Sequence, residues 1–338
     1  MVKVSVIIPI YNGADYIDNV VGTFLNQELK EIELICVNDG SKDNSLELLR
    51  KLEKTDDRII VIDKENGGAG SARNAGIKVA KGEYLAIFDI DDVYEADILS
   101  KMYEKAKELD VDMIACRCTR FVGSLDKAEY CKWSVKDRLL PKQQPFCVDD
   151  IEKDVFQLFT GWTWDKLFKK EFVTRCNLRF QEIRTSNDLF FTYMAVAKAD
   201  KIYVMDDVLV HHRIGDKKSL SNTRELSWNC FYQALTEMKK ELVQCGLYDK
   251  LERSYINYAL HFSLWQLNNI TGNAEKIIYN KLRGEYAKEF GFFDKPESYF
   301  WDKNMYRQYM QIKKQPFMLM KLRKTAFARK LYDLIHKK

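Results

Sequence analysis

No run of apolar residues in this 338-residue chain approaches the roughly 20 that a membrane-spanning helix requires, so no bilayer-crossing helix is expected. A secretory leader is missing too. Met1-Val2-Lys3-Val4-Ser5-Val6-Ile7-Ile8-Pro9 is short and strand-like, with no cleavage site behind it, which predicts a cytoplasmic protein. Zinc-site cysteine spacing is absent: the eight cysteines are scattered, and the closest pair, Cys116 and Cys118, has no second pair. Buried thiols acting as small apolar groups are expected, not a disulfide framework. There is no internal repeat and no low-complexity tract. What is present, 46% hydrophobic and 31% charged residues, describes an ordinary globular protein of one large or two smaller domains.

The net charge of +4 is unevenly placed. Between Lys313 and Lys338 stand nine Lys or Arg and one acid, Asp333, a charge of +8 that leaves the rest of the chain at −4. A mildly acidic body is a poor partner for nucleic acid, whereas a basic tail suits an anionic membrane surface. Bulky apolar residues alternate with the basic ones from Pro316 to Tyr332, so the tail at 313–338 reads as an amphipathic interfacial segment or a docking helix.

Residues 1–115 alternate strand and helix: Val4–Ile8, Ala14–Gln27, Glu33–Val37, Asp43–Lys54, Ile59–Ile62, Ser71–Ala80, Tyr84–Phe88, Ala96–Glu108, then Met113–Ala115. Such alternation predicts an α/β fold with a mostly parallel sheet covered by helices. Residues 116–220 lose the rhythm, and from 221 onward the chain reads as aromatic-rich helices. The expected organisation is 1–220, with halves 1–115 and 116–220, followed by a helical region 221–338.

Four strands lead into polar loops. Pro9-Ile10-Tyr11-Asn12-Gly13 is expected to turn at Pro9, with Tyr11 offering a flat face to a base or packing on the helix start. Asn38-Asp39-Gly40-Ser41-Lys42-Asp43 places Asp39 at a strand end, with Ser41 or Asp43 capping the next helix. In Asn66-Gly67-Gly68-Ala69-Gly70-Ser71-Ala72-Arg73 the glycines allow close backbone approach, and a helix N-terminus near Ser71 favours an anion. Arg73 is expected in that first turn, where a cation opposes the helix dipole. The fourth loop is Asp89-Ile90-Asp91-Asp92. On extended backbone Asp89 and Asp91 point the same way, and a divalent cation between them would relieve their repulsion. A solvated acidic turn is the plainer reading.

The order and spacing of these four motifs resemble glycosyltransferase family two, over about residues 1–220. The resemblance implies a GT-A nucleotide-diphospho-sugar domain and an inverting, metal-dependent transfer from a UDP-sugar to a glycan or polyprenyl-linked saccharide. It implies that Pro9, Tyr11, Asp39, Asn66 and Arg73 hold the uridine moiety. Asp89 would contact the ribose side, and Asp91 would bind Mn²⁺ or Mg²⁺ against the diphosphate. The family's base is the Asp of a Glu-Asp pair at a helix start, which points to Asp188; Asn187 stands where the Glu is expected. Gly161-Trp162-Thr163-Trp164-Asp165-Lys166 is similar to the segment bordering the acceptor, so Trp162 or Trp164 could stack on a sugar. His212, Arg213 and Lys217 resemble a loop that closes over the diphosphate. The family's lipid-linked acceptors imply a place on the inner face of the plasma membrane, and the aromatic helices could equally serve an oligomer.

Two other readings remain. A dinucleotide oxidoreductase lacks G-x-G-x-x-G after its first strand, where Pro9-Ile10-Tyr11-Asn12 stands. A nucleotide-sugar-binding scaffold that has lost activity is opposed by Asp91 and Asp188.

Overall fold

The computed structural model describes residues 1–215 and 220–319. The chain forms two compact units, Met1–Asn222 and Thr223–Lys338. In the first, strands β1 (Val4–Ile10), β2 (Ile32–Asp39), β3 (Ile59–Lys64) and β4 (Tyr84–Ile87) alternate with helices α1 (Ala14–Leu25), α2 (Ser45–Glu53) and α3 (Gly68–Val79). After them come β5 (Val93–Tyr94), α4 (Ile98–Leu109), β6 (Met113–Phe121), β7 (Glu129–Tyr130), β8 (Lys166–Lys169), α5 (Lys170–Arg175), α6 (Asn187–Lys198) and β9 (Ile202–Arg213).

The sheet order is β3-β2-β1-β4-β8-β6-β9-β5, with β7 paired to β6. The β1–β2, β2–β3, β1–β4 and β6–β9 pairs are parallel. Strands β8, β7 and β5 run against their neighbours. Six of the nine described strands therefore point one way, and their carboxyl ends define one edge of the sheet. Central strands β1 and β2 are buried on both faces, which explains their near-continuous apolar runs. Edge strand β3 alternates buried and half-exposed residues. Helix α3 lies close to the sheet because Gly76 has no side chain: a Cβ there would meet Ile7 Cγ2 at 2.4 Å.

Two local expectations are corrected. Pro9 does not turn the chain but lies inside β1, opposite Val37. The Ile7 carbonyl accepts from Phe88 N, so Ile7 and, two residues on, Pro9 face β4. The β1–β4 ladder ends at Ile7–Ile87, and no N–H is needed at Pro9. Helix α3 starts at Gly68, three residues before the expected Ser71. Arg73 thus sits in its second turn and escapes the dipole cost foreseen for it.

The second unit contains α7 (Cys230–Gln244), α8 (Tyr248–Asn268), α9 (Gly272–Leu282), α10 (Glu285–Glu289) and α11 (Lys303–Lys314). Its aromatic richness is mostly core: Tyr255, Tyr279, Tyr286, Phe290, Phe292 and Tyr309 are almost fully buried. Three of these four tyrosine hydroxyls find partners, Tyr255 donating to Leu235 O at 3.1 Å, Tyr279 to Gln315 O at 3.0 Å and Tyr286 to Asn229 Oδ1 at 2.9 Å, whereas the Tyr309 hydroxyl is buried without one. Among the described residues no helix is long and apolar enough to cross a membrane. Most of the basic tail, from residue 320, lies outside the described residues, as does Lys217.

Candidate active site

The loops after β1, β2, β3 and β4 all open at the carboxyl edge of the sheet, where ligands of open α/β folds bind. Hydrogen bonds knit the first two loops together. Asn12 N donates to Ser41 Oγ at 3.0 Å, and Lys42 N donates to Asn12 Oδ1 at 2.8 Å. Asp43 accepts from Ala14 N at 3.2 Å and from Ser45 N at 3.0 Å, serving the starts of both α1 and α2. Ser41 therefore does not cap α2; its oxygen is taken by the first loop. Tyr11 stands 49% exposed.

Asp39 ties the second loop to the third. It accepts from Gly67 N (3.0 Å), Gly68 N (2.7 Å) and Lys64 Nζ (2.8 Å), and is almost fully buried. Asn66 Nδ2 donates to the Asp39 carbonyl at 2.8 Å. Gly40, at φ +68°, permits this approach, since a Cβ there would lie 2.8 Å from Asn66 N. The expected anion site at the start of α3 is thus occupied by the protein's own carboxylate.

The acidic loop is a turn, not the extended segment that the i, i+2 argument assumed: β4 ends at Ile87 and the chain turns at Ile90-Asp91. The buried Tyr94 hydroxyl fixes the turn by accepting from Asp89 N (2.9 Å) and donating to Asp89 O (3.0 Å). Three carboxylates nevertheless lie close enough to act on one another electrostatically. Burial, and then the charges of Asp92 and Asp89, push the Asp91 carboxyl up to about 7. Asp92 has a fully buried side chain; its Oδ1 lies 2.8 Å from His212 Nδ1 and accepts from Arg213 N at 2.9 Å. Its other oxygen, also buried, has no hydrogen-bond partner. Burial opposes a charge on His212, but the Asp92 hydrogen bond and nearby carboxylates raise it to about 9. Arg213 Nε donates to Asp91 O at 3.0 Å, and its guanidinium lies over the Phe121 ring.

Arg73 joins this turn to α6. One guanidinium nitrogen donates to Asp89 Oδ1 at 2.6 Å and another to Asn187 Oδ1 at 2.5 Å. Close approach of α3 makes this contact, since a Cβ on Gly70 would collide with Gln181 O at 2.1 Å. Next to Asn187, Asp188 is partly buried, and among the described residues no side chain donates to it. Burial pushes its carboxyl up to about 6, against the pull of Arg73 and with the help of Asp89. A carboxylate with that value can take a proton at neutral pH.

The tryptophan segment splits in two. Trp164 is core, 3% exposed, and stacks on His212 with ring centroids 4.9 Å apart. Trp162 is half-buried, 4.2 Å from Trp164, and its indole N–H donates to Asp165 Oδ2 at 2.9 Å. Asp165 and Lys166, both fully buried, pair at 2.5 Å, and Lys166 Nζ also donates to Trp162 O at 2.9 Å. Sequence reasoning missed Tyr94, the Asp92–His212 pair and Trp133, which packs against Trp162 and is 41% exposed. An exposed Trp in the polar turn Lys132-Trp133-Ser134 was the available signal for the last.

A family model, "Glycosyl transferase family 2", matches residues 5–161. The glycosyltransferase GlyG of Streptococcus pneumoniae serotype 4 is 30% identical over 240 residues, covering 67% of this chain and 75% of GlyG. The chain belongs to glycosyl transferase family 2. It is a glycosyltransferase. The uncharacterised glycosyltransferase EpsJ of Bacillus subtilis (strain 168) is 34% identical over 212 residues, 62% of this chain; the match spans only 60% of EpsJ. Among solved structures, Staphylococcus aureus TarS 1–349 in complex with UDP-GlcNAc superposes with a TM-score of 0.63 over 91% of this chain and 92% of that one. At 18% identity that likeness shows a shared GT-A fold.

Proposed function

We propose that this family 2 enzyme transfers a sugar from a UDP-sugar to a hydroxyl of a glycan or lipid-linked saccharide, with inversion at the anomeric carbon. The observation that carries the reading is Arg73, whose guanidinium holds Asp89 of the acidic turn and Asn187 beside Asp188 at once. Leaving-group and acceptor functions then share one site. Asp188 takes the proton from the acceptor hydroxyl as its oxygen attacks C1 of the donor sugar. The bond from C1 to the β-phosphate oxygen breaks on the opposite side, and UDP departs. Pro9, Tyr11, Asp39, Asn66 and Arg73 hold the nucleotide, with Asp39 acting by shaping the loop at 66–68. Asp89 serves the ribose side. His212 and Arg213 place positive charge beside the acidic turn. Residues 116–220 form the acceptor side, with Trp162 facing the sugar.

The acidic turn fits a divalent cation. Asp91 is protonation-prone at neutral pH while nothing balances its neighbours, and Asp92 keeps a buried oxygen without a partner. Among the described residues no three His, Cys, Asp or Glu side chains form a ready cage. Asp91 would therefore share Mn²⁺ or Mg²⁺ with diphosphate oxygens, as hard cations on nucleotides commonly do. Bound there, the ion would neutralise the charge on the departing diphosphate.

UDP release from UDP-Glc, UDP-Gal, UDP-GlcNAc, UDP-GalNAc and UDP-uronates, measured with Mn²⁺ or Mg²⁺ present, tests the reading. At least one donor should turn over, and Asp91→Asn should slow it by about 100-fold. Wild-type rates in Asp91→Asn would reject the role of the acidic turn. The basic tail at 313–338 is proposed to hold the enzyme at the cytoplasmic face of an anionic membrane, on the strength of its charge. Flotation on phosphatidylglycerol vesicles should be lost on deleting 313–338; unchanged flotation would overturn that role.

A further inference from the structure

Four of the large apolar side chains exposed on the first unit, Val122, Leu125, Tyr130 and Trp133, fall within one twelve-residue stretch that follows β6. Clustered exposure of this kind marks a binding surface more often than chance. The stretch is anchored. Cys131 N donates to Cys118 O at 3.0 Å, Thr160 N to Ser134 O at 2.9 Å, and Lys136 N to Leu158 O at 2.9 Å. Thr160 Oγ1 donates to Trp133 O at 3.2 Å. Trp133 is thus displayed on a turn pinned from two sides, which lowers the entropy cost of binding.

Its ring continues a file of aromatic groups. Trp133 meets Trp162 at 5.0 Å and 59°, Trp162 meets Trp164 at 4.2 Å, and Trp164 stacks on His212, the partner of Asp92. Trp162 is also tied to α6, since Thr192 Oγ1 donates to Trp162 O at 3.3 Å. Thr192 lies one helical turn from Asp188, on the same face. The file therefore leads from the acidic turn and the base outward to Trp133. Two tilted indoles, one half-buried and one exposed, suit the C–H faces of consecutive pyranose rings. The acids and bases of the stretch balance, Asp126 and Glu129 against Lys127 and Lys132, so it lacks the basic excess that draws a segment to anionic lipid.

Building on the transferase reading above, we propose that Trp133 and Trp162 form a second saccharide subsite. It holds the sugar next to the one that reacts, and the acceptor is a glycan of at least two units.

The test is retention of the full chain, with UDP and Mn²⁺, on immobilised mono-, di- and trisaccharides ending in Glc, Gal, GlcNAc or GalNAc. Wild type should bind at least one longer glycan better than its terminal monosaccharide. Trp133→Ala should lower that affinity about tenfold, leaving monosaccharide binding unchanged, and Trp133→Phe should restore most of it. Unchanged retention by Trp133→Ala, or no glycan retained while UDP-sugar hydrolysis proceeds, overturns the proposal. So does vesicle flotation that Trp133→Ala abolishes with glycan retention intact, which would assign the patch to lipid. Trp133-dependent retention without UDP-sugar hydrolysis would support the subsite and count against the donor assignment instead.

Discussion

Asp188→Asn lowers UDP-sugar turnover by about 1,000-fold and leaves UDP binding, read by thermal shift, unchanged. General-base catalysis contributes about 100- to 10,000-fold, and Asn keeps the shape of Asp without its proton affinity. The wild-type rate should follow the ionised fraction of Asp188, falling about tenfold per pH unit below the carboxyl's value of about 6. The variant should lose that acid limb. Stability should move the other way. The folded value lies above that of an unfolded Asp, so the native state binds more protons between about pH 4 and 6 and loses stability as pH rises through that window. The neutral variant escapes this cost and gains about 1 kcal/mol at pH 7, after discounting for the partial exposure of Asp188. A variant that turns over normally, or that keeps the same pH profile, would remove Asp188 from the mechanism.

Lys166→Met destabilises the first unit by about 3–5 kcal/mol. The reason is the Asp165 carboxylate, which burial drives upward in pKa against the pull of Lys166 and which the variant would leave without its counter-charge. The Thr160 and Trp162 carbonyls also lose their shared ammonium donor. The double variant Asp165→Asn/Lys166→Met should be less destabilised than the sum of its parts, by about 1–3 kcal/mol, because the uncompensated charge is then gone. Chemical denaturation measures all three. A single variant within 1 kcal/mol of wild type would show that the pair carries little. Because the same pair holds Trp162 through its indole N–H and its carbonyl, acceptor binding should weaken along with stability.

How much of this could be read beforehand differs between fold and site. The alternating strands and helices expected in residues 1–115 appear with shifts of a few residues, because each apolar run reports its own burial. The exceptions are the last strand, which runs on to Phe121, past the expected boundary at 115, and the two-residue β5, which has no apolar run to announce it. The four loops were legible for the same reason: each follows its strand directly in sequence. Pro9 reads as a turn from its own chemistry, but its tolerance inside β1 depends on where the neighbouring β1–β4 ladder stops. The tie from Asp39 to the backbone of residues 67 and 68, which takes both its oxygens, has no local signal in the sequence. Arg73 meets Asn187 across 114 residues and His212 meets Asp92 across 120, separations at which no local pattern carries information. Trp133 went unnoticed because its meaning lies in the ring beside it.

By itself the sequence determined the α/β alternation, the parallel part of the sheet and the inventory of acids at strand and helix ends. Those follow from periodicity and local backbone preference. Only the tertiary structure decided which carboxylate is sealed against His212, which guanidinium spans the acidic turn and α6, and why Asp188 stands near 6. Charge energetics depend on burial and on distances of a few ångströms, and both are set by packing between segments far apart in the chain.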